Sequence, residues 1–495
     1  MKAKLNINKN EIISKIDRRI YGSFIEHLGR AVYGGIYEPT HDSADELGFR
    51  GDVLELVRNL KVPIVRYPGG NFVSGYNWED GIGDKSKRPR KLDLAWLSVE
   101  TNEVGIDDFQ AWAKRANTDV MMAVNLGTRG PDEARALIEY CNGETNTYYA
   151  NLRRENGYEE PFGFKLWCLG NEMDGDWQIC HKTAEEYARV ATETAKVLRW
   201  VDPSIELVAC GSSDHHMPTY GEWESTVLEH TYDYIDYLSL HCYYGNYKGT
   251  PDFLARAEDM DRFIKETASI CDKERARRNS DKVINLSFDE WNIWYRTKDE
   301  EKTAPRWLVA PPLLEEKFNF EDALLAGCML ITLQNNSDRV KIACLAQLVN
   351  VIAPIMTENG GVAWKQTIFY PYMYASLFGN GVALSTKAEV DAYTSAEGWN
   401  VPYLCSSTIF DEENGRLVIF AVNRSLDDKI ELDVSLKGLE GYTLAEHIEL
   451  YCDDLKATNS KEEQRVAPRK KEISCGSSIS LEKHSWNMLV FERNS

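Results

Sequence analysis

Residues 164–172 read Phe164-Lys165-Leu166-Trp167-Cys168-Leu169-Gly170-Asn171-Glu172, an apolar run closed by a glycine, an amide and a carboxylate. A strand with one wet face alternates apolar and polar side chains, whereas a parallel strand covered on both faces reads as apolar throughout. An amphipathic stretch of helical length, 184–201, follows. The same grammar recurs at 22–26, 63–69, 119–126, 205–211, 235–243, 283–290 and 340–348, with amphipathic segments such as 254–276 between several of them. Eight apolar strands alternating with helices predict an α/β fold, a (β/α)8 TIM barrel.

Beyond about residue 380 the pattern changes to short strands separated by turn residues, at 407–410, 416–423, 429–434, 478–481 and 487–491. Asp411-Glu412-Glu413-Asn414-Gly415 between two of them is a hairpin signal. Residues 1–16 also alternate, with Leu5 and Ile7 followed by Ile12 and Ile13. The expected organisation is a barrel over 17–380 and a C-terminal antiparallel β-sandwich, jelly-roll-like, built from 1–16 plus 381–495. The charged stretch 461–471 reads as a solvated loop.

The chain has 495 residues, with 78 acidic against 57 basic side chains and a formal net charge of −21. Such a field repels phosphate backbones and anionic lipid, so neither nucleic acid nor a membrane is expected as a partner. The first residues contain no apolar run of signal-peptide length, and no stretch approaches the roughly 20 apolar residues of a membrane span. Eleven cysteines run from Cys141 to Cys475 without a Cys-x-x-Cys pair, and several lie inside apolar runs. That usage predicts reduced thiols and a cytoplasmic protein. His215-His216 lacks the spacing of a zinc site, and the Gly34-Gly35 and Gly360-Gly361 pairs lack a P-loop lysine or a dinucleotide fingerprint. Neither metal nor cofactor is expected.

In a barrel of this kind the chemistry sits at the C-terminal ends of the strands. The residues that close the runs are Glu26, Arg66 to Asn71, Asn125, Asn171-Glu172, His241 to Tyr243, Asp289-Glu290 and Gln347, with Trp78, Trp96, Trp167, Trp177, Trp291, Trp294 and Tyr295 among them. Flat apolar faces beside fixed hydrogen-bonding groups suit a sugar ring. Glycoside hydrolysis needs two carboxyl groups flanking one bond, and Glu172 and Glu290 end the fourth and seventh runs, where they can face each other across the barrel mouth. A single Glu after an apolar run is ordinarily a solvated loop residue. Here one follows an Asn, the other precedes a Trp, and Glu26 ends the first run. These residue types leave open a glycosidase of unspecified sugar, including an endoglucanase or β-xylosidase on the same barrel, and a non-catalytic carbohydrate-binding protein.

Longer motifs narrow the choice. Tyr21 to Arg30 (YGSFIEHLGR), Gly34 to Pro39 (GGIYEP), Arg66 to Gly81 (RYPGGNFVSGYNWEDG), Leu166 to Gly175 (LWCLGNEMDG), Phe288 to Tyr295 (FDEWNIWY) and Ala346 to Ile355 (AQLVNVIAPI) resemble the α-L-arabinofuranosidases of glycoside hydrolase family 51. The resemblance runs in order from about residue 20 to 380. It implies a retaining hydrolase of terminal non-reducing α-L-arabinofuranosyl groups, acting on arabino-oligosaccharides from arabinan or arabinoxylan. It implies Glu172 as general acid/base and Glu290 as nucleophile. It also implies Glu26, Asn71, Asn171, Tyr243 and Gln347 as arabinose-holding residues, Trp294 as a wall facing the substrate, and Arg66 and His241 as the supporting shell. A homo-oligomer, a hexamer in many members, is implied as well. Asp176 departs from the family pattern, which often has Pro there, and this leaves open the shape of the loop beyond the site.

Overall fold

The computed structural model describes residues 1–473 and 478–493. Eight parallel strands close into a barrel in sequential order: β1 (Gly22–Phe24), β2 (Ile64–Tyr67), β3 (Asp119–Ala123), β4 (Leu166–Leu169), β5 (Glu206–Ala209), β6 (Tyr237–Tyr244), β7 (Asn285–Ile293) and β8 (Val340–Ala346). Each corresponds to one of the eight apolar runs, and the reason those runs are apolar is visible in the packing. Met121, Ala123, Leu166 and Cys168 point into the barrel, while their neighbours Val120, Met122, Trp167 and Leu169 pack outward under the helices. Both faces of every strand are dry, and each fully buried side chain of this size contributes roughly 1.5–3 kcal/mol. The amphipathic stretch after β4 is a helix, Ala184–Val201, with a Thr183/Glu186 capping box at its start. The stretch 254–276 is a short helix, Thr250–Leu254, followed by a longer one, Arg256–Arg277, with Ala255 between them.

The second body is a nine-stranded sheet. Its order is Arg469–Lys470, Tyr442–Leu450, Ser485–Arg493, Arg416–Asn423, Leu404–Asp411, Val382–Glu389, Lys2–Lys15, Ile430–Lys437 and Ile479–Leu481. The N-terminal strand lies beside Val382–Glu389 and runs parallel to Ile430–Lys437; the other pairings are antiparallel. The sheet folds over its own core of Leu5, Ile7, Leu417, Ile419, Leu432 and Leu489. Alternate residues of the same strands, Val418, Phe420, Val422 and Trp486, belong instead to the large core shared with the barrel. The helix Phe320–Asn335 carries that junction and is buried from Phe320 to Gln334, so it is apolar on nearly every side. Two long strands of this sheet, Val382–Glu389 and Tyr442–Leu450, and the two-residue Arg469–Lys470 lie outside the sequence expectation. The polar positions of the two long strands (Lys387, Glu389, Glu446, Glu449) mask the alternation. The charged stretch 461–471 is a loop except for Arg469–Lys470.

The ten described cysteines are all free thiols, and Cys475 lies outside the described residues. His215 sits between Asp259 and Glu266, 3.1 Å from each, as an ion-paired side chain. Among the described residues no helix is long and apolar enough to cross a membrane.

Candidate active site

The strand register that fills the barrel with apolar side chains also delivers the polar ones at its C-terminal end. On β6 the inward positions run Tyr237, Ser239, His241, Tyr243, while Leu238, Leu240 and Cys242 face the helices. On β2 the inward residue after Ile64 is Arg66, buried to within 1%. Strand β7 achieves more by an irregularity. Against β6, Ser287 pairs with Ser239 but Glu290 pairs with His241, so three steps on β7 span two on its neighbour. In a regular strand Asp289 and Glu290 would face opposite sides; the bulge turns both toward the barrel interior. Asp289 reaches His241 Nε2 at 3.0 Å and Glu290 reaches Arg66 and Tyr243.

Beyond β4 the chain turns sharply. Gly170 and Glu172 both have positive φ, +88° and +43°. A glutamate in the left-handed region carries local strain, which folds retain mainly at functional sites. The turn aims Glu172 over the barrel mouth, where its Oε1 meets His241 Nδ1 at 2.9 Å and its Oε2 accepts from Trp177 Nε1 at 2.7 Å. Asn171 points the other way and accepts from Arg66 Nη2 at 2.7 Å. Its own amide reaches Gln178 at 3.2 Å and Asn71 at 3.5 Å.

Glu290 is held from three sides. Arg66 Nη1 donates to Oε1 at 2.6 Å, Tyr243 OH donates to Oε2 at 2.6 Å, and His241 Nδ1 lies 3.7 Å from Oε2. Burial pushes the Glu290 carboxyl above its ordinary range and the Glu172 charge adds to this, while His241, Arg66 and the Tyr243 hydroxyl pull it back toward ionisation. Burial also works against a charge on His241, yet the charge of Glu290 and the hydrogen bonds donated to Asp289 and Glu172 outweigh it and lift the imidazole to about 10. His241 is therefore an imidazolium at neutral pH, donating from both nitrogens. One ligand atom each from Glu172, His241 and Glu290 lies within 4.8 Å of the others, a spacing one ion could bridge. Both His241 nitrogens face carboxylates, so the trio is satisfied as an ion-paired cluster.

The floor of the site is built around Glu26. Its Oε1 accepts from the Phe72 backbone N–H and from Trp96 Nε1, each at 2.8 Å, and its backbone N–H donates to Gln347 Oε1 at 3.0 Å. Burial pushes this carboxyl well up, against those two donors. Gly70 makes the approach possible: its φ is +67°, and a Cβ there would lie 2.2 Å from Glu26 Oε2. Above this floor lies a cavity of about 570 Å³, in the size range of small-ligand sites. Glu26, Asn71, Glu172, Tyr243, Glu290, Trp294 and Gln347 line it. Arg66, His241 and Asn171 lie behind that lining: Arg66 holds Glu290 and Asn171, and His241 holds Glu172.

Comparison with known proteins places this geometry. The family model described as the α-L-arabinofuranosidase 1 domain matches residues 56–262, and the α-L-arabinofuranosidase C-terminal domain matches 289–485. Over 499 aligned positions covering 100% of both chains, the sequence is 56% identical to the intracellular exo-α-(1→5)-L-arabinofuranosidase 1 of Bacillus subtilis. It is 55% identical to a similarly named enzyme of Halalkalibacterium halodurans, across 98% of each chain. The chain belongs to the α-L-arabinofuranosidases of glycoside hydrolase family 51. It is accordingly a glycoside hydrolase, an exo-acting α-L-arabinofuranosidase. A family 51 structure from Bifidobacterium longum superposes with a TM-score of 0.96 at 42% identity, covering 99% of each chain. A bifunctional glucanase-xylanase superposes at 0.59 with 13% identity, a likeness of fold alone.

The arabinofuranosidase cavity holds residues that the strand-end reading leaves out. Leu94, Ala95 and Leu97 come from the tip of a hairpin, Lys91–Asp93 with Ser98–Glu100, whose Leu97 carbonyl accepts from Trp307 N–H at 2.6 Å. Lys298, Lys302 and Arg306 add positive charge to the wall of an otherwise acidic protein. Such residues sit on long connections and carry no periodic signal; only the neighbouring tryptophans, Trp96, Trp294 and Trp307, mark the region.

The buried imidazolium of this enzyme has a consequence for stability. The folded His241 keeps its proton to about pH 10, whereas an exposed histidine releases it near 6.5. Its contribution is thus fully present below pH 6.5 and declines, by up to about 1.4 kcal/mol per pH unit, as the pH rises toward 10. Urea unfolding at pH 6.5, 8 and 9.5 is expected to show the wild type losing stability more steeply than His241→Asn. Parallel slopes would remove the charge assigned to His241.

Proposed function

We propose that this exo-α-L-arabinofuranosidase acts by double displacement with retention, with Glu290 as nucleophile and Glu172 as general acid/base. The observation that carries this reading is the approach of the two carboxyl groups, whose oxygens come within 4.8 Å of each other. Retaining enzymes place them about 5–5.5 Å apart, whereas inverting enzymes leave about 6.5–9.5 Å for a water. Glu290 attacks the anomeric carbon while Glu172 protonates the departing oxygen; water then enters on the vacated side and Glu172 takes its proton. Arg66 and Tyr243 hold Glu290 as the anion the attack requires, and Asn171, fixed by Arg66 just behind the cavity lining, takes the sugar 2-hydroxyl by the family resemblance. Glu26, Asn71, Tyr243 and Gln347 bind the remaining hydroxyls, and Trp294, edge-on to Tyr243 at 5.6 Å, forms the apolar wall.

The substrates proposed are α-1,5-linked arabino-oligosaccharides inside the cell, in line with the names of the relatives above; a relative from Bifidobacterium longum, 47% identical, is named for α-1,6 linkages. A cytoplasmic location and the homo-hexamer implied by family resemblance belong to the same reading. The test is hydrolysis of α-1,5-arabinobiose followed by proton NMR. The α anomer of arabinofuranose is expected to appear first. First appearance of the β anomer would replace double displacement with inversion, and an inert arabinobiose beside active α-1,2 or α-1,3 isomers would move the linkage.

A further inference from the structure

Trp177 stands at the mouth of the site without a role in the scheme above. Its ring lines the cavity, it is 50% exposed, and its indole N–H donates to Glu172 Oε2 at 2.7 Å. The backbone that carries it is pinned on both sides. Gly175 N–H donates to the Glu172 carbonyl at 2.9 Å, Gln178 N–H donates to the Gly175 carbonyl at 3.0 Å, and the buried Gln178 side chain bridges Asn171 and Ser74. The indole folds back directly over Gly175, where a Cβ would meet its ring carbons at 2.4–2.5 Å. The absence of a side chain at 175 is what allows the indole to reach the carboxyl.

Hydrogen-bond chemistry says which half of the reaction this contact suits. An indole nitrogen can only donate, and a donor favours the charged form of the carboxyl it meets. His241 donates to the other oxygen, so both oxygens of Glu172 accept from N–H groups. Two donors fix the orientation of the carboxyl, which matters most after the aglycone has left, when Glu172 has to accept a proton from water. We propose that Trp177 is a positioning residue for the second displacement, its indole N–H holding the Glu172 carboxyl aimed at the water that is deprotonated. This rests on the roles proposed above for Glu172 and Glu290. In that step Glu172 accepts a proton from water, the water oxygen bonds to the anomeric carbon, and the bond to Glu290 breaks with its electron pair returning to the carboxylate.

Trp177→Phe keeps an aromatic ring in the wall and removes only the donor. With 2,4-dinitrophenyl α-L-arabinofuranoside, whose leaving group needs no proton, kcat reports the second displacement. Removing a hydrogen bond to a charged group is expected to lower kcat roughly tenfold, with KM falling in parallel and kcat/KM changing by less than about twofold. Azide, a nucleophile that needs no base, is expected to restore kcat and yield arabinosyl azide. An unchanged kcat overturns the proposal, and so does a joint fall of kcat and kcat/KM without azide rescue, the mark of a merely structural role. Glu172→Ala in the same assay separates the two readings. If it loses kcat and regains turnover with azide while Trp177→Phe behaves as wild type, only the indole is dismissed; if it too keeps full kcat, the acid/base assignment falls.

Discussion

Glu290→Ala is expected to lose nearly all turnover, on the order of 10⁴-fold or more, even on 4-nitrophenyl α-L-arabinofuranoside. An activated leaving group relieves the need for an acid but cannot replace the nucleophile, because no bond to the anomeric carbon forms without it. The neighbourhood predicts a second effect. Glu290 lies between Arg66 and His241, so the alanine variant leaves two buried cations facing a smaller negative charge. Breaking a buried ion pair from one side commonly costs about 3–5 kcal/mol, here softened by Asp289, which remains 3.0 Å from His241 and 3.7 Å from Arg66 Nε. Glu290→Gln preserves the shape and can still face Arg66 and Tyr243. It is expected to melt closer to the wild type while being equally inactive. Appreciable arabinoside turnover by the folded Gln variant would remove Glu290 from the nucleophile's position.

The second large effect belongs to Glu172, and it splits by substrate. On a natural arabino-oligosaccharide, Glu172→Ala is expected to lose about 10²–10⁴ in kcat/KM, the usual contribution of a positioned acid. On the 4-nitrophenyl arabinoside kcat/KM is expected to stay within about tenfold of wild type, because the first displacement needs little protonation. There kcat falls instead, by the 10²–10⁴ of the missing base, and KM falls with it as the glycosyl-enzyme accumulates. The two mutants are thus distinguishable on one aryl substrate. Equal damage from both in kcat/KM would contradict the division of roles.

These expectations lean on residues whose placement was legible to different degrees. The eight strands could be read because burial on both faces keeps the runs mainly apolar, with polar residues gathered toward their C-terminal ends, and the first polar residues after β1, β4 and β8 (Glu26, Asn171-Glu172 and Gln347) belong to the site for the same reason. The seventh run names Glu290 as the carboxylate at its end, but not that Asp289 beside it also turns inward. Period-two reasoning puts one inside and one outside, and only the bulge against β6 brings both inward, Asp289 behind and Glu290 on the cavity wall. The alternating residues Leu5 and Ile7 announce a strand, but not its neighbours, which lie nearly four hundred residues away at Thr386 and Ala388. Local pattern carries no information about such partners. Trp96 and Trp177 were visible as aromatics near the motifs; that their indole N–H groups serve Glu26 and Glu172 depends on a hairpin tip and a glycine turn that no spacing rule encodes.

The account turns on a covalent bond between arabinose and Glu290, and that bond can be weighed. Glu172→Ala, mixed with 2,4-dinitrophenyl α-L-arabinofuranoside and quenched in acid, should gain the mass of one arabinosyl group. Peptide mapping should place the adduct on Glu290. An enzyme that turns over the substrate yet carries no adduct, or carries it on another residue, would contradict double displacement through Glu290.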